Sequence, residues 1–102
     1  MKDQTPFPKR LKAARKAAGL SQKKLGILSG IDEFSSSARM NQYEKGTHSP
    51  DYSMVQRISA VLEVPEAYFY ADDDGLAEII RLYGKLDRNK KIEAVTIIGS
   101  LV

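Results

Sequence analysis

The chain has no cysteine, which excludes disulfides, thiolate metal sites and thiol nucleophiles. It has a single histidine, His48, so a histidine-cluster metal site is excluded as well. No apolar run is long enough to cross a bilayer, and the first residues carry no apolar core of the signal-peptide kind. The lack of thiols is compatible with a reducing setting, and a cytoplasmic location is expected. Internal repeats and low-complexity tracts are missing too. At 102 residues there is room for one domain, or one small domain with an appendage. A helical core of that size needs no covalent staple.

What is present is unevenly spread. Residues 1–50 hold ten Lys/Arg against four acids, whereas residues 51–102 hold six against nine. The first half is therefore basic and the second acidic, although the whole chain is only +3. A basic half fits a polyanionic partner.

The stretch from Ser21 to Gly46 reads as two short helices joined by a turn. Leu20 and Leu25 bracket Ser21 and Lys24 with the spacing of a hydrophobic staple around a Ser N-cap, so a helix starts at Gln22. Gly26 shares a face with Ser29 and lets a second helix backbone come close. Gly30 ends the helix, because it tolerates positive φ. The second helix is expected over Ser36 to Lys45, with Met40 and Tyr43 inward and Gly46 as its stop. Its outward side carries Ser37, Ala38, Arg39, Asn41 and Gln42. A solvated face usually bears Glu and Lys; uncharged hydrogen-bonding groups with one Arg suit base edges in a DNA major groove. The connection Gly30–Ser35 is long for a helix-turn-helix, whose turn has about 3–4 residues. Ile31 or Phe34 is expected to anchor it in the core, unless Asp32 caps an earlier start of the second helix.

Around this pair, residues 1–8 read as an arm, with Pro6 and Pro8 and no periodicity. A first helix is expected over about Lys9 to Ala18, with Leu11, Ala14, Arg15 and Ala18 on one stripe and Gly19 after its end. Arg15 on that stripe needs a carboxylate, and Glu44 is the candidate. Beyond Pro50, the stripe Tyr52, Val55, Ile58, Ser59 and Leu62 gives a helix from about Met54 to Glu63. Ser53 and Gln56 have capping-box spacing at its start. Pro65 opens a short helix through Tyr70, with Phe69 as its core residue.

Asp72-Asp73-Asp74-Gly75 forms a linker whose last acids favour the next helix N-terminus. That helix carries Leu76, Ile79, Ile80, Tyr83 and Leu86. Asp87 caps a final segment with Ile92, Val95 and Ile98 on one side, together with Leu101 or Val102. The β-branched run 95–98 would also suit a short strand, but a helix is expected. The apolar residues of 76–102 exceed what one hairpin hides on a finished domain, so a second copy is expected to cover the rest.

Leu11, Ala14-Arg15, Gly19-Leu20-Ser21-Gln22, Leu25, Tyr43-Glu44-Lys45-Gly46, Pro50 and Leu62 together resemble the Cro/lambda-repressor type of helix-turn-helix domain. The likeness covers about residues 7–71. It implies an all-α, five-helix DNA-binding domain, placed here at 1–71; the C-terminal helical extension, 72–102, is expected to dimerise because of its surplus of apolar residues. It implies operator binding, commonly as a dimer and usually to repress transcription. By similarity, Gln22 takes a DNA phosphate, and Ser37, Ala38 and Gln42 face base edges. Arg39 and Asn41 stand beside them; Lys23, Lys45 and Thr47 are further backbone-contact candidates. Arg15 and Glu44 match the internal ion pair of the family. Two departures stand out: the extended turn, and Gly26 where the family usually has Ala.

The expected function is a DNA-binding regulator of the repressing kind, with double-stranded DNA as partner, a homodimer through residues 76–102, and no cofactor, metal, membrane or catalysis. The alternative is an antitoxin-type DNA-binding protein whose C-terminal segment holds a partner protein. A protein-interaction adaptor using the same fold is a third class.

Overall fold

The computed structural model describes residues 5–102, and all the regular structure there is helical. Six α-helices and one 3-10 helix follow in order: α1 Phe7–Ala17, α2 Gln22–Leu28, α3 Ser36–Lys45, α4 Tyr52–Leu62, the 3-10 helix Glu66–Tyr70, α5 Asp74–Gly84 and α6 Arg88–Ser100. The all-α expectation holds, and the run 95–98 is helix.

α1 begins two residues earlier than the periodicity predicts, because Phe7 is a core residue. Its ring lies 5.1 Å from that of Phe69 and 5.7 Å from that of Tyr70. Pro8 is tolerated in the first turn, where its missing N–H costs nothing. The expected arm therefore shrinks: residues 7 and 8 are helical, while residues 1–4 lie outside the described residues. The buried stripe of α1 is Phe7, Arg10, Leu11 and Ala14, and Ala18 is exposed beyond the helix end.

Arg10 is a buried cation that the stripe did not flag. Its Nε donates to Ala71 O at 3.0 Å and Nη2 donates to Asp72 O at 3.1 Å. Nη1 lies 3.0 Å from the Asp74 carboxylate, and the guanidinium carbon is 6.0 Å from the Tyr68 ring centre. One side chain thus ties α1 to the chain just before α5. A buried Arg is tolerable here because its donors meet carbonyls and a carboxylate.

α4 starts earlier than expected and has a different cap. Asp51, not Ser53, is the N-cap, accepting from Met54 N at 2.8 Å. The Ser53 hydroxyl instead accepts from Arg57 Nη1 at 2.6 Å. Val55, Ile58, Ser59 and Leu62 are buried as the stripe requires, but Tyr52 is exposed and Met54 takes an inward place. The core is closed by Leu25, Met40, Tyr43 and the fully buried Phe69.

The last two helices behave differently from the rest. Asp73 and Asp87 cap α5 and α6 through Leu76 N and Lys90 N. α5 buries only Ala77, with Ile80 partly packed on the core, and α6 buries nothing. Leu76, Ile79, Leu82, Tyr83, Ile92, Val95, Ile97 and Ile98 all remain exposed.

Candidate nucleic-acid interface

α2 starts where the staple spacing places it: the Ser21 hydroxyl accepts from Lys24 N at 3.0 Å. Gly30 adopts φ +94 and ends the segment. The long connection is real, and α3 begins at Ser36 with no earlier start at Asp32. Ile31 is the anchor: its side chain is buried and its N–H donates to Gly26 O at 2.9 Å. Phe34, the other candidate anchor, points out and is 91% exposed.

Asp32 organises the turn rather than capping a helix. One carboxylate oxygen accepts from Phe34 N at 3.1 Å, the other from the Ser35 hydroxyl at 2.6 Å. These bonds, the Ser35 hydroxyl foremost, hold the Asp32 carboxyl below its ordinary pKa, with Arg39 adding a smaller attraction.

α3 is pressed onto α2 through the gap at Gly26. The Ser36 hydroxyl donates to Lys23 O at 2.6 Å and fills that gap. Met40 and Tyr43 then face the core, and Gly46 at φ +76 stops the helix. Ser37, Ala38 and Arg39 are exposed, and Asn41 and Gln42 half-exposed, on the other side. The face is held from behind by a bidentate ion pair. Arg15 Nε meets Glu44 Oε2 at 2.5 Å and Nη2 meets Oε1 at 3.1 Å. Arg15 Nη1 also donates to Leu20 O at 2.9 Å. The side chains are only 12% and 4% exposed, and the bond to Glu44 raises the Arg15 pKa further.

Gln22 joins this network. Its amide donates to Glu44 Oε1 at 3.1 Å and to Asn41 Oδ1 at 3.2 Å. Two residues expected to meet DNA separately, Gln22 and Asn41, thus touch each other in the free chain. Lys23, Lys45 and Thr47 are exposed at the edges of the same pair of helices. The Thr47 hydroxyl is engaged with Gln42 O at 3.3 Å, leaving the lysines as the freer groups. Among the described residues no cluster of His, Cys, Asp or Glu is placed to hold a metal. No described helix is long and apolar enough to cross a membrane.

Two packed helices, the second with its polar face turned outward on a small helical core, define a helix-turn-helix domain. Residues 11–69 match the helix-turn-helix family model. The chain belongs to the Cro/lambda-repressor type of helix-turn-helix family. Over 66 residues, 65% of its length, it is 38% identical to an uncharacterized HTH-type transcriptional regulator of Sinorhizobium medicae. It is equally similar to another from Rhizobium meliloti. The matched segment spans 45% of those relatives, less than half their length. The crystal structure of the transcriptional regulator BswR superimposes with a TM-score of 0.85 at 49% identity, covering 92% of this chain and 93% of that one. That match covers more of the chain than residues 11–69 alone.

Proposed function

We propose that the chain is a sequence-specific, DNA-binding transcriptional regulator acting as a repressor, with α3 entering the major groove. The observation that carries this is the exposed run Ser37, Ala38 and Arg39 with Gln42 beside it, on a helix locked from behind by Arg15 and Glu44. Ser37, Ala38, Arg39, Asn41 and Gln42 face base edges; Gln42 pairs with adenine in bidentate fashion, and Arg39 reaches guanine or phosphate. Gln22, Lys23, Lys45 and Thr47 meet the sugar-phosphate backbone and set the register. Gln22 reaches a phosphate by turning its amide away from Glu44. No cofactor or catalytic step enters; repression follows from occupying the operator in the cytoplasm.

A single recognition helix reads few base pairs, so the working form is a homodimer on two half-sites. The uncovered apolar faces of α5 and α6 support an interface through residues 76–102.

The test is selection of bound fragments from random DNA by the full chain. An enriched motif of two related half-sites supports the proposal; no retained DNA at low salt overturns it. Co-purification of a small second protein on residues 72–102 would instead make the chain an antitoxin-type regulator.

A further inference from the structure

The chain has three phenylalanines. Phe7 and Phe69 are core residues, whereas Phe34 is almost wholly exposed at the tip of the extended turn. This exposure is built in. Ile31 fills the core position of the turn, and Asp32 pins Phe34 N and the Ser35 hydroxyl, so the segment 31–35 holds Phe34 outward. Ser35 has helical φ and ψ (−101, −11), and its N–H donates to Asp32 O, an i, i+3 turn. Phe34 precedes Ser37 by three residues and Ala38 by four. Phe34 stands two residues before the first residue of α3, so the exposed ring lies next to the N-terminal end of that helix, the end that contacts base edges in helix-turn-helix proteins.

The chemistry around the ring narrows what it meets. Asp32 and Glu33 are both exposed and acidic, which disfavours a phosphate beside the turn. An aromatic ring offers no hydrogen bond to a base edge. The one apolar group in the major groove is the thymine C5-methyl, which phenylalanine can contact.

We propose that Phe34 is a specificity residue that packs on a thymine methyl at the edge of the site read by α3. This rests on the DNA-binding reading above and adds a position to it. The long turn, a departure from the usual length, serves to deliver this ring.

The experiment replaces each thymine of the selected site, one at a time, by deoxyuridine, which removes only the methyl. Binding is measured for the wild-type chain and for Phe34→Ala. One substitution should weaken the wild type about fourfold, the factor for one buried methyl-sized group, and leave Phe34→Ala unchanged. Thermal unfolding of Phe34→Ala should match the wild type, since the ring packs on nothing. If every deoxyuridine affects both proteins equally, the proposal is overturned while DNA recognition stands. A lowered oligomer mass in Phe34→Ala would also overturn it, by making the ring a protein contact. No binding to any duplex would instead remove the DNA reading itself.

Discussion

A carbon added at Gly26 would sit 1.9 Å from the Ser36 hydroxyl oxygen, so α2 and α3 approach through a gap that only glycine leaves open. The family usually has Ala at this position. Here the serine at the start of α3 has taken the space and uses it to donate to Lys23 O. Gly26→Ala should therefore destabilise the domain by about 1–3 kcal/mol, the cost of overpacking. Adding Ser36→Ala should recover only part of this, because Cβ and O of residue 36 stay 3.0 and 3.1 Å from the new carbon. Thermal melts of the single and double variants check it. A Gly26→Ala chain as stable as the wild type would show that the two helices slide apart at no cost.

Arg15→Ala should act through the fold. It leaves Glu44, nearly buried, with only the Gln22 amide as a partner. Breaking such a pair costs up to about 3–5 kcal/mol. Melting temperature and DNA affinity should fall together. Wild-type stability with affinity alone lost would mean that Arg15 serves the DNA instead.

Gln42→Ala should weaken binding to the selected site by about 1–3 kcal/mol and relax preference at one base position. Repeating the fragment selection with the variant reads this directly, and an unaltered motif would remove Gln42 from the base contacts.

Gln22→Ala should weaken all sequences to a similar degree, as loss of a phosphate contact does. The hydrogen bond from Gln22 to Asn41 provides the contrary outcome: a changed base preference would show that Gln22 acts by orienting Asn41.

Truncation separates the core from the assembly surface. Ending the chain after Leu86 removes α6, which buries nothing, and should leave a folded monomer with weak DNA binding and no preference for paired half-sites. Ending it after Ala71 also strips Asp72 O and Asp74 from Arg10 and removes the buried Ala77, so the melting temperature should drop. Light scattering and thermal melts on both chains decide the matter. A full-length chain that is monomeric with and without its DNA site would end the dimer proposal.

Local signals carried far in this chain because they report on single helices. The Ser21 cap, the span of α3, the glycine stops at Gly30 and Gly46, and the Asp87 cap each depend on a few neighbouring residues, and each was legible. The pairing of Arg15 with Glu44 was legible too, since a cation on an apolar stripe demands an anion. Tertiary packing decided the rest. Phe7 lengthens α1 because an aromatic partner 62 residues away receives it. Arg10 is buried because carbonyls and a carboxylate near α5 satisfy it. Asp51 outcompetes Ser53 as cap once Arg57 engages the serine. Ile31 and Phe34 had equal standing in the sequence, and only the closure of the turn put one inside and the other out. Hydrophobicity says that a side chain gains by burial; which of two neighbours finds a cavity depends on distant parts of the chain.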